Sequence, residues 1–379
     1  MHTRVPVAST SVSTSAPAAE APQAAPLPGS TQGWDHGKAR WVQTTWAELP
    51  GWEQDKVSEA WAALWRSCTK APADWVNLCI QVRGLGATWG KQAGDTAVRQ
   101  WLEGQLQPWR IESQEGQSTG LLTGYFEPMV EARRKPQGAF QTPLHRPPAD
   151  LGKRKPYLSR TELDTSPEGK AALTGRELVY LADPLDALLV QVQGSTRVKL
   201  LDEPDAQGNA KVVRLAFAGH NDQPYQSVAR WLVDQGAFPI EQASWGSIRA
   251  WAQLNPQRVP EMMRANPRVV FFREEALTHT DMGPVGAQGL PLTPGRSIAV
   301  DKEAVPYGTL IWLDSTEPQA WAATAPTPKP MQRLVLAQDT GGAILGAVRA
   351  DFFWGWGDEA LTQAGRTKQP LRLWALWPR

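Results

Sequence analysis

Three aspartates in the last third of the chain stand where a carboxyl group could act as an acid. Asp301 follows the run RSIAV, Asp339 opens DTGGAILG, and Asp351 opens DFFWGWGD. Each ends or follows an apolar run, a pattern that delivers a side chain from the end of a strand into a turn. Asp301, ahead of Pro306, reads first as a turn-capping aspartate. Asp339, followed by Thr-Gly-Gly, reads equally well as a turn former and as support for a site. Asp351 is set among Phe352, Phe353, Trp354 and Trp356. Aromatic bulk keeps water from a carboxylate, which disfavours the charged form and raises the pKa toward what a general acid needs. The plainer alternative is an exposed aspartate beside core aromatics.

Other chemistries have less to stand on. His2, His36, His145, His220 and His279 are scattered singly, and there is no Gly-rich phosphate loop, no paired Cys or His at metal-ligand spacing and no G-x-S-x-G elbow. No metal is therefore expected, and a His-based triad has no support. The DTG triplet at Asp339 invites comparison with aspartic proteases, which face two such loops across a dyad. Here it occurs once, so a dyad would need a homodimer. Lys+Arg of 39 against Asp+Glu of 38 leaves a net charge of +1, too little to hold a phosphate backbone, so nucleic acid is not an expected partner. The 19 Trp suit both core filling and stacking on sugar rings, and core filling accounts for most of them.

The elements that must position these carboxylates can be read from hydrophobic spacing. Residues 1–33, rich in Ala, Pro, Ser and Thr, read as a disordered spacer. From Trp41 to Trp109 the apolar spacing is helical, predicting three or four short helices. Beyond 119, β-branched runs punctuated by Gly and Pro predict strands, among them GLLTGYFEPMVEA, ELVYLA, ALLVQVQGSTRVKLL, RVVFFREE, TLIWLD and RLVLAQD. Helical spacing returns at 227–235 and 245–256. No apolar run reaches the length of about eighteen residues that a membrane span needs. The N-terminus shows no apolar signal core, which fits a cytoplasmic protein or one numbered after signal removal. Cys68 and Cys79 read either as a bonded pair or as two core thiols.

TGYFEP (123–128), YLSRTEL (157–163), VQVQGSTRV (190–198), NPRVVFFRE (266–274), PVGAQGLPLTPGRSIAVD (284–301), VPYGTLIWLD (305–314), AQDTGGAILGAVRADFFWGWGDEA (337–360) and AGRTKQPLRLWAL (364–376) resemble, in order, the membrane-bound lytic murein transglycosylase A family. The resemblance covers roughly residues 119–379. It implies a mainly β protein: a double-psi β-barrel carrying a three-aspartate motif, with a second β-barrel domain inserted and a groove between the two. The catalytic barrel would comprise about 100–137 and 242–379, the insert 138–241, and the helical stretch 34–99 would pack on the barrel. Asp351 maps to the acid/base and Asp339 to the neighbouring catalytic aspartate, with Asp301 completing the trio. Thr123, Tyr125, Glu127, Gln191, Gln193, Ser195 and Asp301 are the expected substrate-side residues.

The implied reaction follows from a single carboxylate. A standard glycosidase needs a second one, about 5–5.5 Å away as nucleophile or roughly 6.5–9.5 Å away as base. With one, the muramyl C6 hydroxyl must attack C1, giving a 1,6-anhydromuramoyl end without metal or cofactor. Glu127 is the residue that would reopen hydrolysis if it faced the site. A barrel that binds cell-wall glycan without cutting it, as expansin-like modules do, is the rival from another class. The resemblance also implies peptidoglycan strands and other murein synthases or hydrolases as partners, and a periplasmic, outer-membrane-associated location.

Overall fold

The computed structural model describes residues 33–319 and 327–379. The spacer expected over 1–33 thus lies outside the described residues, except for Gly33. The chain opens with β1 (Gly33–His36) and β2 (Ala39–Gln43), followed by helices α1 (Trp61–Ser67), α2 (Val76–Leu85) and α3 (Trp89–Gln105). Strands β3 (Leu106–Ser113), β4 (Gly120–Glu127), β5 (Met129–Arg133) and β6 (Thr142–His145) come next. Then α4 (Arg160–Thr165), α5 (Pro167–Leu173), β7 (Glu177–Leu181), α6 (Pro184–Gln193), β8 (Thr196–Pro204) and β9 (Ala210–His220) alternate. Helices α7 (Val228–Asp234), α8 (Trp245–Leu254) and α9 (Val259–Arg264) lead into β10 (Val270–Ala276) and β11 (Ser297–Val300). The chain closes with β12 (Leu310–Thr316), β13 (Pro330–Asp339), β14 (Arg349–Trp356), α10 (Gly357–Arg366) and β15 (Lys368–Pro378).

Among the described residues the strands form two sheets. The first has nine strands in the order β1-β2-β3-β15-β12-β13-β11-β14-β4, and β15 pairs with β4 as well. That extra pairing, Lys368–Leu371 against Thr123–Gly120, closes β4, β14, β11, β13, β12 and β15 into a ring. Closure leaves those strands no free edge, which a set of short strands rich in Val, Ile and Leu requires. The second sheet has the order β10-β9-β8-β5-β7-β6, with β6 and β10 approaching one another at its two ends. It takes in β5 and β10, so it runs past the 138–241 boundaries on both sides. Pairing partners decide this, and hydrophobic spacing carries no information about them.

Helices α1 to α3 pack on the barrel in one continuous core. Trp61, Leu64, Leu78 and Val98 share it with Ile298, Trp312, Leu336 and Trp374. Cys68 and Cys79 are bonded to each other and tie α1 to α2, which settles the alternative left open by the sequence. Among the described residues no helix is long and apolar enough to cross a membrane.

The sequence reading needs three corrections. The helical stretch predicted from Trp41 begins in a strand: β2 pairs with β3, setting Trp41 opposite Ile111 and Val42 opposite Arg110. ALLVQVQ, read as strand, is the body of α6. Asp183 caps it by accepting the Leu185 N–H at 2.8 Å, Pro184 occupies its first turn, and Gly194 ends it in the left-handed region at φ +83°. The helix reads as a continuous apolar run because it is buried on several sides, Leu185 and Leu188 against α7 and α8 and Val190 against the second sheet. Helices α4, α5 and α10 stand in stretches read as β. The first two are set by local capping, Ser159 with Glu162 and then Ser166 with the Gly169 N–H.

Candidate active site

The centre of the barrel wall is the parallel pair β4–β14, whose register places Thr123 beside Asp351 and Leu121 beside Arg349. Side chains alternate along a strand, so Arg349 and Asp351 point to one face while Ala350 and Phe352 point into the barrel core. Thr123 Oγ1 donates to Asp351 Oδ1 at 2.7 Å. Arg349 Nη2 donates to the same Thr123 Oγ1 at 2.9 Å. Asp351 Oδ2 has no protein partner among the described residues and is not sealed from solvent.

Burial pushes the Asp351 carboxyl up to about 6, and the nearby Asp339 charge pushes the same way, while the Thr123 hydrogen bond and the Arg349 charge oppose them. This is the direction that the flanking aromatics suggested. Asp339, at the end of β13, accepts from Tyr125 Oη at 2.9 Å and from the Ala287 N–H at 3.0 Å. Burial raises its pKa too, against its hydrogen bonds from Thr340, Tyr125 and Ala287. Tyr125 packs its ring 5.2 Å from Phe353 and is itself raised well above its usual value, by burial and by both aspartates. Asp339 is thus held by groups of its own chain, as a structural and electrostatic neighbour of Asp351 and not as half of a protease dyad.

The other residues expected at the site separate into two groups. Thr123 and Gln193 border a cleft of about 390 Å³, with Tyr225, Trp245 and Asn266 on its far side. Gln193 Oε1 accepts the Phe126 N–H at 3.0 Å. Gly124 allows the cleft wall to close tightly, since a Cβ there would lie 2.7 Å from Trp354 Nε1 and 2.8 Å from Thr367 Oγ1. A second cleft of about 310 Å³ lies on the other side of Phe126; neither cleft has any of the three aspartates in its wall, and the first adjoins Asp351 through Thr123.

Four other expected substrate-side residues, Glu127, Gln191, Ser195 and Asp301, are buried or held by the protein's own groups. Glu127 is wholly buried. Its carboxylate accepts from Arg197 Nε at 2.8 Å and from Arg214 at 2.6 and 3.1 Å. Arg197 in turn stacks 3.7 Å over the Trp356 ring. An unpaired charge in such a place would be costly, and the two guanidiniums are what allow the carboxylate to be there. Gln191 Oε1 accepts from Arg160 Nη2 at 2.7 Å, and Arg160 also holds the carbonyls of Asn266 and Arg268. Ser195 is buried. Asp301 is buried and binds the N–H groups of Glu303 and Gly346 and the Lys38 ammonium. Burial alone would raise its pKa, but those three donors win and hold it below the usual carboxylate range. It anchors the turn after β11 and the loop before β14, as its sequence position ahead of Pro306 suggested.

Arg349 is the polar contact that sequence reading passed over. Its signal was present, since two residues' separation in a strand puts it on the same face as Asp351. Trp245 and Tyr225 were also missed, because their helix and loop approach β4 only through the tertiary fold.

Residues 121–273 match the family model described as the MltA specific insert domain, and residues 296–377 match the 3D domain. Membrane-bound lytic murein transglycosylase A of Vibrio cholerae serotype O1 is 31% identical over 293 residues, covering 76% of this chain and 73% of that protein. Among solved structures, lytic transglycosylase LtgG of Burkholderia pseudomallei is similar at 39% identity and a TM-score of 0.59, covering 93% of this chain and all of that one (100%). Escherichia coli MltA with bound chitohexaose is similar at 27% identity and a TM-score of 0.68, over 85% of this chain and 90% of that one.

Proposed function

Because the chain belongs to the membrane-bound lytic murein transglycosylase A family and is a peptidoglycan lytic transglycosylase, we propose that Asp351 alone serves as acid and then base at the bond between N-acetylmuramic acid and N-acetylglucosamine. The observation that carries this reading is the Asp351 carboxyl, lifted to about 6, with Oδ2 unpartnered and Glu127 shut away between two arginines. Protonated Asp351 gives its proton to the glycosidic oxygen as the muramyl C1–O bond breaks and oxocarbenium character develops. The resulting carboxylate then takes the proton from the muramyl C6 hydroxyl, and that oxygen closes onto C1. The products are an N-acetylglucosamine end and a 1,6-anhydromuramoyl end, and no water is consumed.

Asp339 acts through charge. Held by Tyr125 and Ala287, it favours the protonated form of Asp351 at the start of the cycle. The cleft between β4 and Trp245 provides flat aromatic surface and amide groups of the kind that hold sugar rings. In E. coli MltA a chitohexaose occupies the protein, which supports a glycan-strand substrate here. Relatives named membrane-bound support an envelope location, and the Cys68–Cys79 bond supports an oxidising one; we place the protein in the periplasm at the outer membrane. Incubation with purified murein sacculi and mass spectrometry of the soluble products tests the chemistry. Muropeptides lighter by one water than their reducing-end counterparts are expected, and reducing ends as the main product would overturn the single-carboxylate reading.

A further inference from the structure

We propose that Arg349 is a positioning residue that fixes which oxygen of Asp351 carries the transferable proton. The inference rests on the reading of Asp351 as the acid.

A threonine hydroxyl has a single hydrogen and can accept as well as donate, whereas a guanidinium can only donate. Arg349 Nη2 lies 2.9 Å from Thr123 Oγ1, so the hydroxyl accepts there. Its own hydrogen is then committed to Asp351 Oδ1, 2.7 Å away. Oδ1 is therefore an acceptor in both protonation states, and the proton that leaves in the first step and returns in the second sits on Oδ2. That is the oxygen with no protein partner among the described residues, and it is not sealed from solvent. Without Arg349 the hydroxyl could turn and accept from Asp351, placing the proton on the wrong oxygen.

The guanidinium is itself fixed. Its Nη1 donates to the carbonyls of Ala350 and, at 3.4 Å, Leu121, bracing β14 against β4 beside the Asp351–Thr123 pair. The charged and titratable groups around Asp351 come from several elements. Arg349 stands on β14 itself, Tyr125 on β4 and Asp339 on β13. Strand β11 places only Ala299 opposite Asp351, and β15 sets an exposed Lys368 opposite Thr123. Arg349 is the cation whose charge acts on Asp351, and it favours the carboxylate that must form in mid-reaction.

Two readouts test this. For murein solubilisation by the full chain, Arg349→Met should lower kcat roughly ten- to hundredfold with KM nearly unchanged. It should also move the descending alkaline limb of the pH profile to higher pH, and Arg349→Lys should recover much of both. The double variant Thr123→Val/Arg349→Met should lose less activity than the two single losses combined, because both residues share one hydroxyl while the Arg349 charge acts on Asp351 besides. Independently of activity, a 13C-carboxyl titration should find Asp351 titrating at higher pH in Arg349→Met than in the parent. An unmoved titration, additive losses, or a KM effect alone would overturn the proposal. If the parent protein released no anhydromuropeptides, the reading of Asp351 as the acid would fall instead, while the titration would still report on Arg349.

Discussion

Arg214 Nε donates to Glu127 Oε1 at 2.6 Å in a contact from which the glutamate is wholly screened from solvent. Glu127 is the last residue of β4, and Arg214 belongs to the second sheet, so the pair fastens the barrel wall to the inserted sheet. It also removes from the site the carboxylate best placed in sequence to support hydrolysis.

Replacing Glu127 by Gln would leave two arginines buried against each other. A loss of roughly 3–5 kcal/mol in stability is expected, the usual scale for breaking a buried pair. Chemical denaturation measures it, and the product spectrum of whatever active protein remains should still be anhydro-terminated. A shift from reducing ends to anhydro ends on this substitution would show that Glu127 takes part in catalysis.

Asp351→Asn should abolish murein lysis and yet stabilise the fold near pH 7. The folded carboxyl sits at about 6, raised by burial, against ~3.9 in an unfolded chain. A raised folded value means that its contribution to stability is fully present below about pH 4 and is lost as pH rises through 6. The amide does not titrate, so the variant should gain on the order of 1–3 kcal/mol at neutral pH, with the gap closing below pH 4. Thermal melts at pH 3.5 and 7.5 decide this, and equal differences at both would contradict it.

Activity itself should fall as pH rises above about 6, since the cycle begins with Asp351 protonated. A rate that climbs steadily from pH 6 to 8 on sacculi would be incompatible with a general acid of this pKa.

Tyr125→Phe should shift that limb in the direction opposite to Arg349→Met. The Tyr125 hydroxyl lowers the pKa of Asp339, so losing it favours neutral Asp339, and neutral Asp339 no longer raises Asp351. The limb is therefore expected at lower pH, and kinetic profiles of the two variants side by side test the sign.

Cys68→Ser should cost about 2–4 kcal/mol, the common range for a bond that constrains the unfolded chain. Parent protein with reductant should melt like the variant without it; an unchanged melt in reductant would show that the bond does not contribute.

The sequence by itself determined the β-rich character of the chain beyond 119 and the family to which its ordered motifs belong, and it singled out Asp351 as the carboxylate set among aromatics. These are legible because they depend on residue type, local alternation and motif order. What it could not determine were partners brought together from distant parts of the chain, 87 residues apart for Glu127 and Arg214 and 228 for Thr123 and Asp351. The charge that holds Glu127, the hydroxyl on Asp351 and the ring closure through β15 and β4 all belong to this class. Helix α6 shows the same limit locally, because a helix buried on several sides loses the period that would identify it. TGYFEP illustrates both halves. Strict alternation would put Thr123 and Glu127, four residues apart, on one face, but the register shift between Phe353 and Trp356 and the two arginines of the second sheet leave Thr123 on Asp351 and Glu127 locked in the interior.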